Sequence, residues 1–412
     1  MPDAESGARP VGQEGALSVA PGSRLLFAGV AYSLGVLIVG TNLPAPLYAV
    51  YRQQFHFSPL TITLIVSAYV GVLVPTLLLS GSLADAVGLR SVLVPAIVAA
   101  AVGAFLFARA AGTGQLFAAR IVQGVAVGAA SGPLTAALVR TEPSGDRAAA
   151  SLLGAFMTTA GAGVGPVLAG FLAQYAPAPL ELCFLVEIAL LAPALAAVTA
   201  LGPAGQRTGR WRPMRVHVPP AVRGQFVIAG AVSFLAWAVV YIVLALVPSY
   251  VIASMHSTNL LLGGVAAGLL LLCAAVTQPV CRGWKPERSQ PVGLVLLMLG
   301  LAGLIAAGAF GSTVLLLATL AVTGVGQGLG FMGALRKVNE IAPPGSHAGV
   351  ASAFYVVTYL GGGGPVILVG LLATRIGLVP AVQLAAVALA ACCLATLAAL
   401  RGPAPARSAG GG

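Results

Sequence analysis

The sequence predicts an all-α membrane protein with twelve transmembrane helices. Hydrophobic residues make up 58% of the chain, charged residues make up 8%, and the mean hydropathy is +0.99. Soluble domains carry charge on roughly a quarter of their residues, so this composition excludes an ordinary soluble globule. Apolar runs of about 20 residues or more, the length that a helix needs to cross a bilayer, recur along the chain. They fall at 25–50, 59–81, 91–110, 115–139, 148–174, 180–201, 226–250, 259–280, 291–310, 313–335, 348–373 and 378–400.

The basic residues are distributed unevenly between alternate loops. With the N-terminus in the cytoplasm, only Arg52, Arg109 and Arg375 fall in outer loops, and Arg120 lies within a span. The positive-inside rule therefore predicts a multi-pass protein with both termini cytoplasmic. This asymmetry accounts for the net charge of +11, so no nucleic-acid partner is expected. The first 24 residues have no apolar core and do not form a cleavable signal peptide.

A short polar interruption separates the second and third predicted spans. Its glycines allow a sharp turn in a loop at the membrane surface, and its aspartate can face the positive end of a nearby helix. The glycines and charged residues of this stretch are Gly81, Asp85, Gly88 and Arg90. Their spacing resembles the motif in the loop between spans two and three of major facilitator superfamily transporters.

The resemblance implies a cytoplasmic gate. Asp85 would hold the two halves together in the outward-facing state, opposite the start of span eleven. Two basic positions of the superfamily motif hold Ala86 and Leu89 here, so the charge cluster of this gate is smaller than usual.

The second half of the chain weakly repeats the first. Gly124, Val125 and Gly128 align with Gly324, Val325 and Gly328, and Gly165-Pro166-Val167 aligns with Gly364-Pro365-Val366. Six spans duplicated into twelve resemble the parallel repeat of the superfamily, which implies two six-helix halves related by a pseudo-two-fold axis around a central cavity. The expected organisation is a cytoplasmic tail at 1–24, a helix bundle at 25–201, a basic cytoplasmic linker at 202–225, a second bundle at 226–400 and a tail at 401–412.

Span four carries a charge inside a predicted membrane helix. At 100° per residue, one face within about 60° collects Arg120, Gln123, Gly124, Val127, Ser131 and Thr135. A polar stripe cannot face lipid, and a charge within a span is a functional hypothesis by default. The run from Arg120 to Gly124, followed by Gly128, resembles the fourth-span motif of the superfamily, in which the arginine is implicated in proton coupling. The alternative is that Arg120 extends into the outer headgroups.

Glycines recur along span five and surround a proline. They are Gly154, Gly161, Gly165, Pro166 and Gly170, an array that resembles the fifth-span signature of the antiporter branch. Glycines four residues apart let two helix backbones approach closely, and the proline bends the helix. Small-residue packing alone would explain the spacing, and Ala169 replaces a frequent glycine. The full array with Gly-Pro favours export over uptake.

No motif indicates catalysis, a metal or a cofactor. The run Gly328 to Gly333 matches GxGxxG, but it lies inside an apolar span with no preceding strand and is interpreted as helix packing. No GxxxxGK[ST] motif is present, so ATP is not the expected energy source. The histidines and cysteines lack the spacing of a metal site or a disulfide framework, and neither an enzyme nor a receptor-type cluster is predicted.

Polar and aromatic residues that share helix faces are the candidate lining of the cavity. They are Tyr32 and Asn42 in span one, Ser233, Trp237 and Tyr241 in span seven, Gln327 in span ten, and Tyr355 and Tyr359 in span eleven. Aromatic side chains with one polar atom suit a mostly apolar ligand. Each residue alone is equally explained by contact between helices.

Glu187 is the acid nearest the middle of any span. It lies about seven residues into span six, roughly 10 Å below the outer surface. Desolvation at that depth favours the neutral carboxyl, so Glu187 is the candidate proton site unless a cation such as Arg120 holds it ionised. Span one, where many relatives carry a coupling acid, has none. The sixth span is peripheral in the superfamily, so a structural pair or a lipid-facing neutral acid is the alternative.

These features predict a secondary active transporter that exports a small lipophilic or amphipathic compound in exchange for protons. The arginine- and alanine-rich composition suggests a bacterial source, and hence the bacterial cytoplasmic membrane. The expected partners are a small-molecule substrate, protons and membrane lipid, and the chain is expected to be a monomer. A symporter or facilitator for uptake of a metabolite is the alternative, and a membrane-embedded receptor or enzyme is a more distant one.

Overall fold

The protein, in a computed structural model, is a bundle of long helices. The structure describes residues 24–201, 216–255, 257–343 and 346–401. At residues 81, 85, 255 and 348 it describes only the backbone. Within these ranges the helices are α1 (Arg24–Asn42), α2 (Tyr48–Phe55), α3 (Pro59–Val87), α4 (Leu89–Ala108), α5 (Thr113–Thr141), α6 (Arg147–Tyr175), α7 (Leu182–Thr199), α8 (Arg223–Met255), α9 (Leu260–Val280), α10 (Pro286–Phe310), α11 (Thr313–Ile341), α12 (His347–Ile376) and α13 (Leu378–Arg401), with a 3-10 turn at Pro220–Val222.

The all-α membrane fold with twelve spans is confirmed. Twelve helices in the described ranges are long and apolar enough to cross a bilayer, and only the short helix α2 is not among them. Their bounds follow the apolar runs of the sequence, because bilayer thickness sets both. Most of the tail at 1–24 and of the linker at 202–225, and all but the first residue of the tail at 401–412, lie outside the described residues.

The first predicted span, 25–50, is wrong at its C-terminal end. Helix α1 stops at Asn42, a turn follows, and α2 begins at Tyr48. Pro44 and Pro46 stand in this turn, where proline would remove a backbone donor and clash within a continuing helix. Helix α2 that follows the break buries the rings of Tyr48 and Tyr51.

The polar loop predicted at 81–90 is almost entirely helical. Helix α3 continues to Val87 and α4 begins at Leu89, so Gly88 alone makes the turn. Gly88 has φ 93° and ψ 150°, a conformation that residues with a Cβ essentially never adopt. Its N–H donates to the carbonyl oxygen of Ala84 at 2.9 Å, which closes the end of α3. Polar residues within the span were mistaken for a loop, although most of them are compatible with helix.

The two halves, α1–α7 and α8–α13, pack their helices in the same way. In the N-terminal half α5 lies against α3 and α4, and α1 lies against α6 and α7; in the C-terminal half α11 lies against α9 and α10, and α8 against α12 and α13. The aligned glycines occupy equivalent places: Gly124 and Gly128 of α5 meet the backbone of α3, while Gly324 and Gly328 of α11 meet that of α9. The sequence repeat therefore corresponds to a structural one.

The halves meet along two equivalent seams, α3 with α12 and α6 with α9. In the first, the hydroxyl of Ser67 donates to the carbonyl oxygen of Gly363 at 3.0 Å. In the second, Gln278 Nε2 donates to Thr159 Oγ1 at 3.2 Å, and the N–H of Leu260 donates to Gln174 Oε1 at 2.8 Å. Helix α6 thereby connects its own half to the other one.

We expect Gly88→Ala to lower the thermal stability of the protein, because its positive φ costs a residue with a Cβ about 1–3 kcal/mol. Thermal unfolding of the purified chain in detergent measures this loss. The matched control is Gly114→Ala in the first turn of α5, where an added Cβ meets no atom within 4 Å. Equal unfolding temperatures for the two variants would contradict the assignment of the turn to Gly88.

Candidate substrate cavity and a buried charge cluster

A central cavity of about 700 Å³ lies between the two halves. This volume is within the range of small-molecule binding sites, roughly 300–1,000 Å³. Helices α1, α2, α3, α5 and α6 line one side, and α8, α9 and α12 line the other. The polar and aromatic side chains of its wall are Thr41, Asn42, Tyr48, Tyr69, Arg120, Ser131, Thr135, Arg140, Thr158, Trp237, Tyr241, Tyr355 and Tyr359.

The cavity extends toward one end of the bundle. We call this the linker end, because α7 ends there and α8 begins there. Arg140, which is exposed near the linker end of α5, belongs to the cavity wall. Toward the opposite end the halves are in contact through Ser67 and Gly363 and through Gln174 and Leu260. The halves are therefore hydrogen-bonded to each other at the opposite end, in addition to the bond between Gln278 and Thr159.

Arg120 lies at the deep end of the cavity and is only 4% exposed. Its Nε donates to the hydroxyl of Tyr48 at 2.6 Å, and its Nη1 donates to the carbonyl oxygen of Thr41 and to Gln123 Oε1. Gln123 in turn donates from Nε2 to the carbonyl oxygen of Gly40 at 3.2 Å. The guanidinium is thus attached to the end of α1 and to α2, rather than extended into headgroups.

Three aromatic rings surround the same guanidinium. Its carbon lies 5.5 Å from the ring centroid of Tyr48, 5.7 Å from that of Tyr69 and 5.6 Å from that of Phe107. The negative faces of such rings attract a cation, more strongly when water is excluded. Hydrogen bonds and rings together reduce the cost of burying this charge.

Glu187 lies behind the cavity wall, next to Arg120. Its side chain is 2% exposed, and its carboxyl contacts Gly40, where any larger residue would collide with it. Its Oε2 has no hydrogen-bond partner among the described residues, and no ion pair within 4 Å joins it to Arg120 there. The carboxyl of Glu187 interacts electrostatically with Arg120 without a hydrogen bond between them.

The predicted cavity residues divide into two groups. Asn42, Trp237, Tyr241, Tyr355 and Tyr359 lie in the cavity wall. The other three lie elsewhere, because a helix face alone does not tell which neighbour covers it. Tyr32 donates its hydroxyl proton to the carbonyl oxygen of Leu190, Ser233 is bonded to Thr358 at 2.7 Å, and Gln327 is fully buried.

The fourth-span residues face three directions. Arg120 lines the cavity and Gln123 bonds to α1, whereas Gly124 and Gly128 lie against the backbone of α3. A Cβ on Gly124 would come 2.7 Å from the carbonyl oxygen of Tyr69, so glycine permits this close contact.

The glycines of the fifth span serve two interfaces. Gly161 and Gly165 meet the backbone of α1, whereas Gly170 and the carbonyl oxygen of Pro166 meet α9 of the other half. Gly154 lies among side chains of α1 and α5. Helix α6 is therefore packed closely on both sides.

The remaining motif residues are placed less completely. Gly81 and Asp85 belong to the last turns of α3, where the structure describes only their backbone. Gly88 makes the turn, and Arg90 is the second residue of α4. In the GxGxxG run of α11, Gly330 and Gly333 pack against α10.

Sequence reasoning missed Tyr48 and Tyr69 as partners of Arg120. Tyr48 was missed because residues 25–50 were predicted to form one helix. Pro44 and Pro46, just before it, indicate that the helix breaks there. Tyr69 lies in an apolar run with no polar neighbour on its face, so no periodicity distinguishes it.

The family follows from a sequence comparison. The sequence model of the Major Facilitator Superfamily matches residues 25–365, which is most of the chain. The chain belongs to this superfamily. It is therefore a multi-pass membrane transporter of small molecules and not an enzyme.

Curated relatives match a shorter segment. Putative multidrug resistance protein MdtD of Klebsiella pneumoniae and that of Salmonella typhi are each 34% identical over 146 residues, which is 35% of this chain. The matched segment of the chain spans 30% of the length of these relatives.

Solved structures share the fold over nearly the full length. The nucleoside transporter NupG superposes with a TM-score of 0.71 at 14% identity, covering 92% of this chain and all of that one. A bacterial homologue of the human lysosomal transporter Spinster, inward-facing and occupied, gives a TM-score of 0.66 at 13% identity, covering 92% and 96%. At this identity the likeness concerns the fold.

We expect Tyr48→Phe to lower the unfolding temperature, because it leaves Arg120 Nε buried without its acceptor, at a cost of about 1–3 kcal/mol. The control is Tyr175→Phe at the exposed end of α6, which removes a hydroxyl from the surface. Thermal unfolding in detergent compares them. A Tyr48→Phe protein as stable as the control would show that this bond does not hold the cluster.

Proposed function

We propose that the protein is a secondary active transporter of a bacterial cytoplasmic membrane that exports a small lipophilic or amphipathic compound in exchange for protons. The observation that carries the proposal is the position of Glu187. A buried carboxyl lies directly behind the wall of a central cavity and beside the guanidinium of Arg120. Proton binding there would alter the charge balance of the cavity wall.

The orientation rests on the distribution of basic residues, which makes the linker end cytoplasmic. The cavity then extends toward the cytoplasm, as expected of an inward-facing transporter ready to load a compound from inside. The likeness to an inward-facing structure, the Spinster homologue, is consistent with this assignment. We propose a monomer as the working unit.

Export rather than uptake is supported by two observations. The Gly-Pro array of α6 resembles the signature of antiporters, and it lies where α6 contacts both α1 and α9. The curated relatives are named as multidrug resistance proteins, over the segment that the chain shares with them. Both observations favour efflux, and the gate motif with Asp85 would close the cytoplasmic side in the alternate state.

Glu187 is the proposed proton carrier. Its carboxyl touches α1 at Gly40, so a change in its charge acts on the helix that also holds Thr41 and Asn42 in the cavity wall. One charge moving down 100 mV yields about 2.3 kcal/mol, which sustains roughly a fifty-fold concentration gradient. A single exchanged proton is thus sufficient for useful export.

Efflux of a panel of antibiotics and dyes from a host without its own pumps should depend on this protein and stop when an uncoupler is added. Efflux that continues undiminished with the uncoupler would contradict proton coupling. Accumulation of a compound inside the cells would favour the uptake alternative.

We expect Glu187→Gln to abolish proton-driven transport in proteoliposomes while exchange of substrate without a gradient survives, because the amide cannot carry a proton. The matched control is Glu181→Gln, which removes an exposed acid six residues earlier at the start of α7. It should leave proton-driven transport intact. Full proton-driven transport by Glu187→Gln would rule out this carrier.

A further inference from the structure

The charged side chains that the structure describes in the cavity wall are both arginines. Arg120 lies at the deep end and Arg140 near the linker end, about twenty residues or roughly 30 Å apart along α5. None of the described acidic side chains lines the cavity, since Glu187 lies one layer behind. Within the described part of the cavity wall, an organic cation would therefore meet two arginines and no carboxylate.

The wall contributed by the C-terminal half is aromatic and carries an unused hydrogen-bond donor. Trp237, Tyr241, Tyr355 and Tyr359 face the cavity, and Phe331 packs edge-on against Trp237 with centroids 5.6 Å apart. The indole Nε1 of Trp237 is buried and has no hydrogen-bond partner in the described structure, and the rings of Tyr241, Tyr355 and Tyr359 line the same wall. An aromatic body bearing one acceptor group would give the indole N–H its missing partner.

We propose that the transported compound is an uncharged aromatic molecule that carries a hydrogen-bond acceptor, and that it binds best when Glu187 is ionised. This inference rests on the proposed function and specifies the substrate class of the same cavity. The aromatic body lies against the C-terminal half, and its acceptor meets the indole N–H or the tyrosine hydroxyls.

Water links this substrate class to the proton. An apolar ligand displaces water from the cavity next to Arg120. Removing water from a guanidinium costs less when an ionised acid offsets its charge, and more when that acid is protonated. Protonation of Glu187 therefore weakens binding of a neutral ligand. Exchange of the ligand for a proton requires this, because the protein must release one when it binds the other.

Charged ligands fail this requirement in different ways. A cation is repelled by Arg120 when Glu187 is protonated, and when the acid is ionised the cation still finds no described carboxylate in the cavity wall to pair with. An anion binds Arg120 most tightly when Glu187 is protonated, so proton and anion would move together instead of in exchange. A neutral ligand needs no partner charge in the wall and is released when Glu187 is protonated.

Few other ionisable groups act on Glu187. Arg120 reaches it from α5, and Cys183 lies one turn away on α7. Of the helices packed on α7, α1 presents Gly40 and the hydroxyl of Tyr32, which is bonded to Leu190. The ionisable residues of α4 and α6 stand at helix ends: Arg90 in α4, and Arg147 and Tyr175 in α6.

The test compares three naphthalene probes whose charge does not change with pH: 2-naphthamide, 2-naphthalenesulfonate and 2-naphthylmethyl-trimethylammonium. Equilibrium dialysis against the purified full chain in lipid nanodiscs measures binding at acidic and alkaline pH, with empty nanodiscs subtracted. We expect 2-naphthamide to bind roughly tenfold more tightly at alkaline pH, the sulfonate to show the opposite trend, and the ammonium probe to bind at least about tenfold more weakly than the amide.

Variants separate the contributions. Glu187→Gln should hold naphthamide affinity near its acidic value at every pH, and Glu181→Gln should keep the pH dependence. Arg140→Gln should strengthen binding of the ammonium probe, whereas Arg147→Gln, an exposed arginine at the linker end outside the cavity wall, should not.

Ammonium binding as tight as naphthamide binding, or naphthamide binding that is absent or independent of pH in the unmodified chain, would overturn the inference. Binding requires no proton gradient, so the experiment can contradict the proposed substrate class and the proposed proton-driven export independently. The predicted binding without proton-driven export would overturn the proposed function alone, and proton-driven export of the ammonium probe would overturn this inference alone.

Discussion

A guanidinium buried inside a membrane protein is the constraint on which this arrangement depends. Arg120 is 4% exposed, and an uncompensated charge at that depth costs several kcal/mol. Its environment supplies compensation by three means: acceptors on Tyr48, Thr41 and Gln123, aromatic faces on three sides, and a nearby acid. The break between α1 and α2 serves this cluster directly, because it brings Tyr48 back over the end of α1.

Close backbone contact is the second requirement, and glycine meets it. Glu187 can reach α1 only because residue 40 has no side chain, and Gly161 and Gly165 bring α6 onto the same helix. The proposed proton site, the cavity wall and the seam between the halves are therefore connected through α1 and α6. A small change in the charge cluster acts on helices that contact both the cavity and the opposite half.

The sequence predicted the parts of the structure that the bilayer dictates. Span number and most span limits follow from apolar runs, and Arg120 and Glu187 stand out because charge is rare in a membrane helix. The side-chain partners could not be read in this way. Tyr48 follows a proline-containing turn within an apolar run, and Gln327 shares a plausible face yet is covered by neighbouring helices. Periodicity identifies faces, whereas the packing of helices decides which face meets the cavity.

Proton exchange between the buried acid and the cavity is the central claim, and it can be measured without transport. In weakly buffered solution, addition of 2-naphthamide to the purified protein at a pH where Glu187 is partly protonated should alter the proton occupancy of that acid. The account predicts release of protons into solution, detected by an indicator dye, and no release from Glu187→Gln. Proton uptake on binding, or equal release from the unmodified and Glu187→Gln proteins, would contradict it.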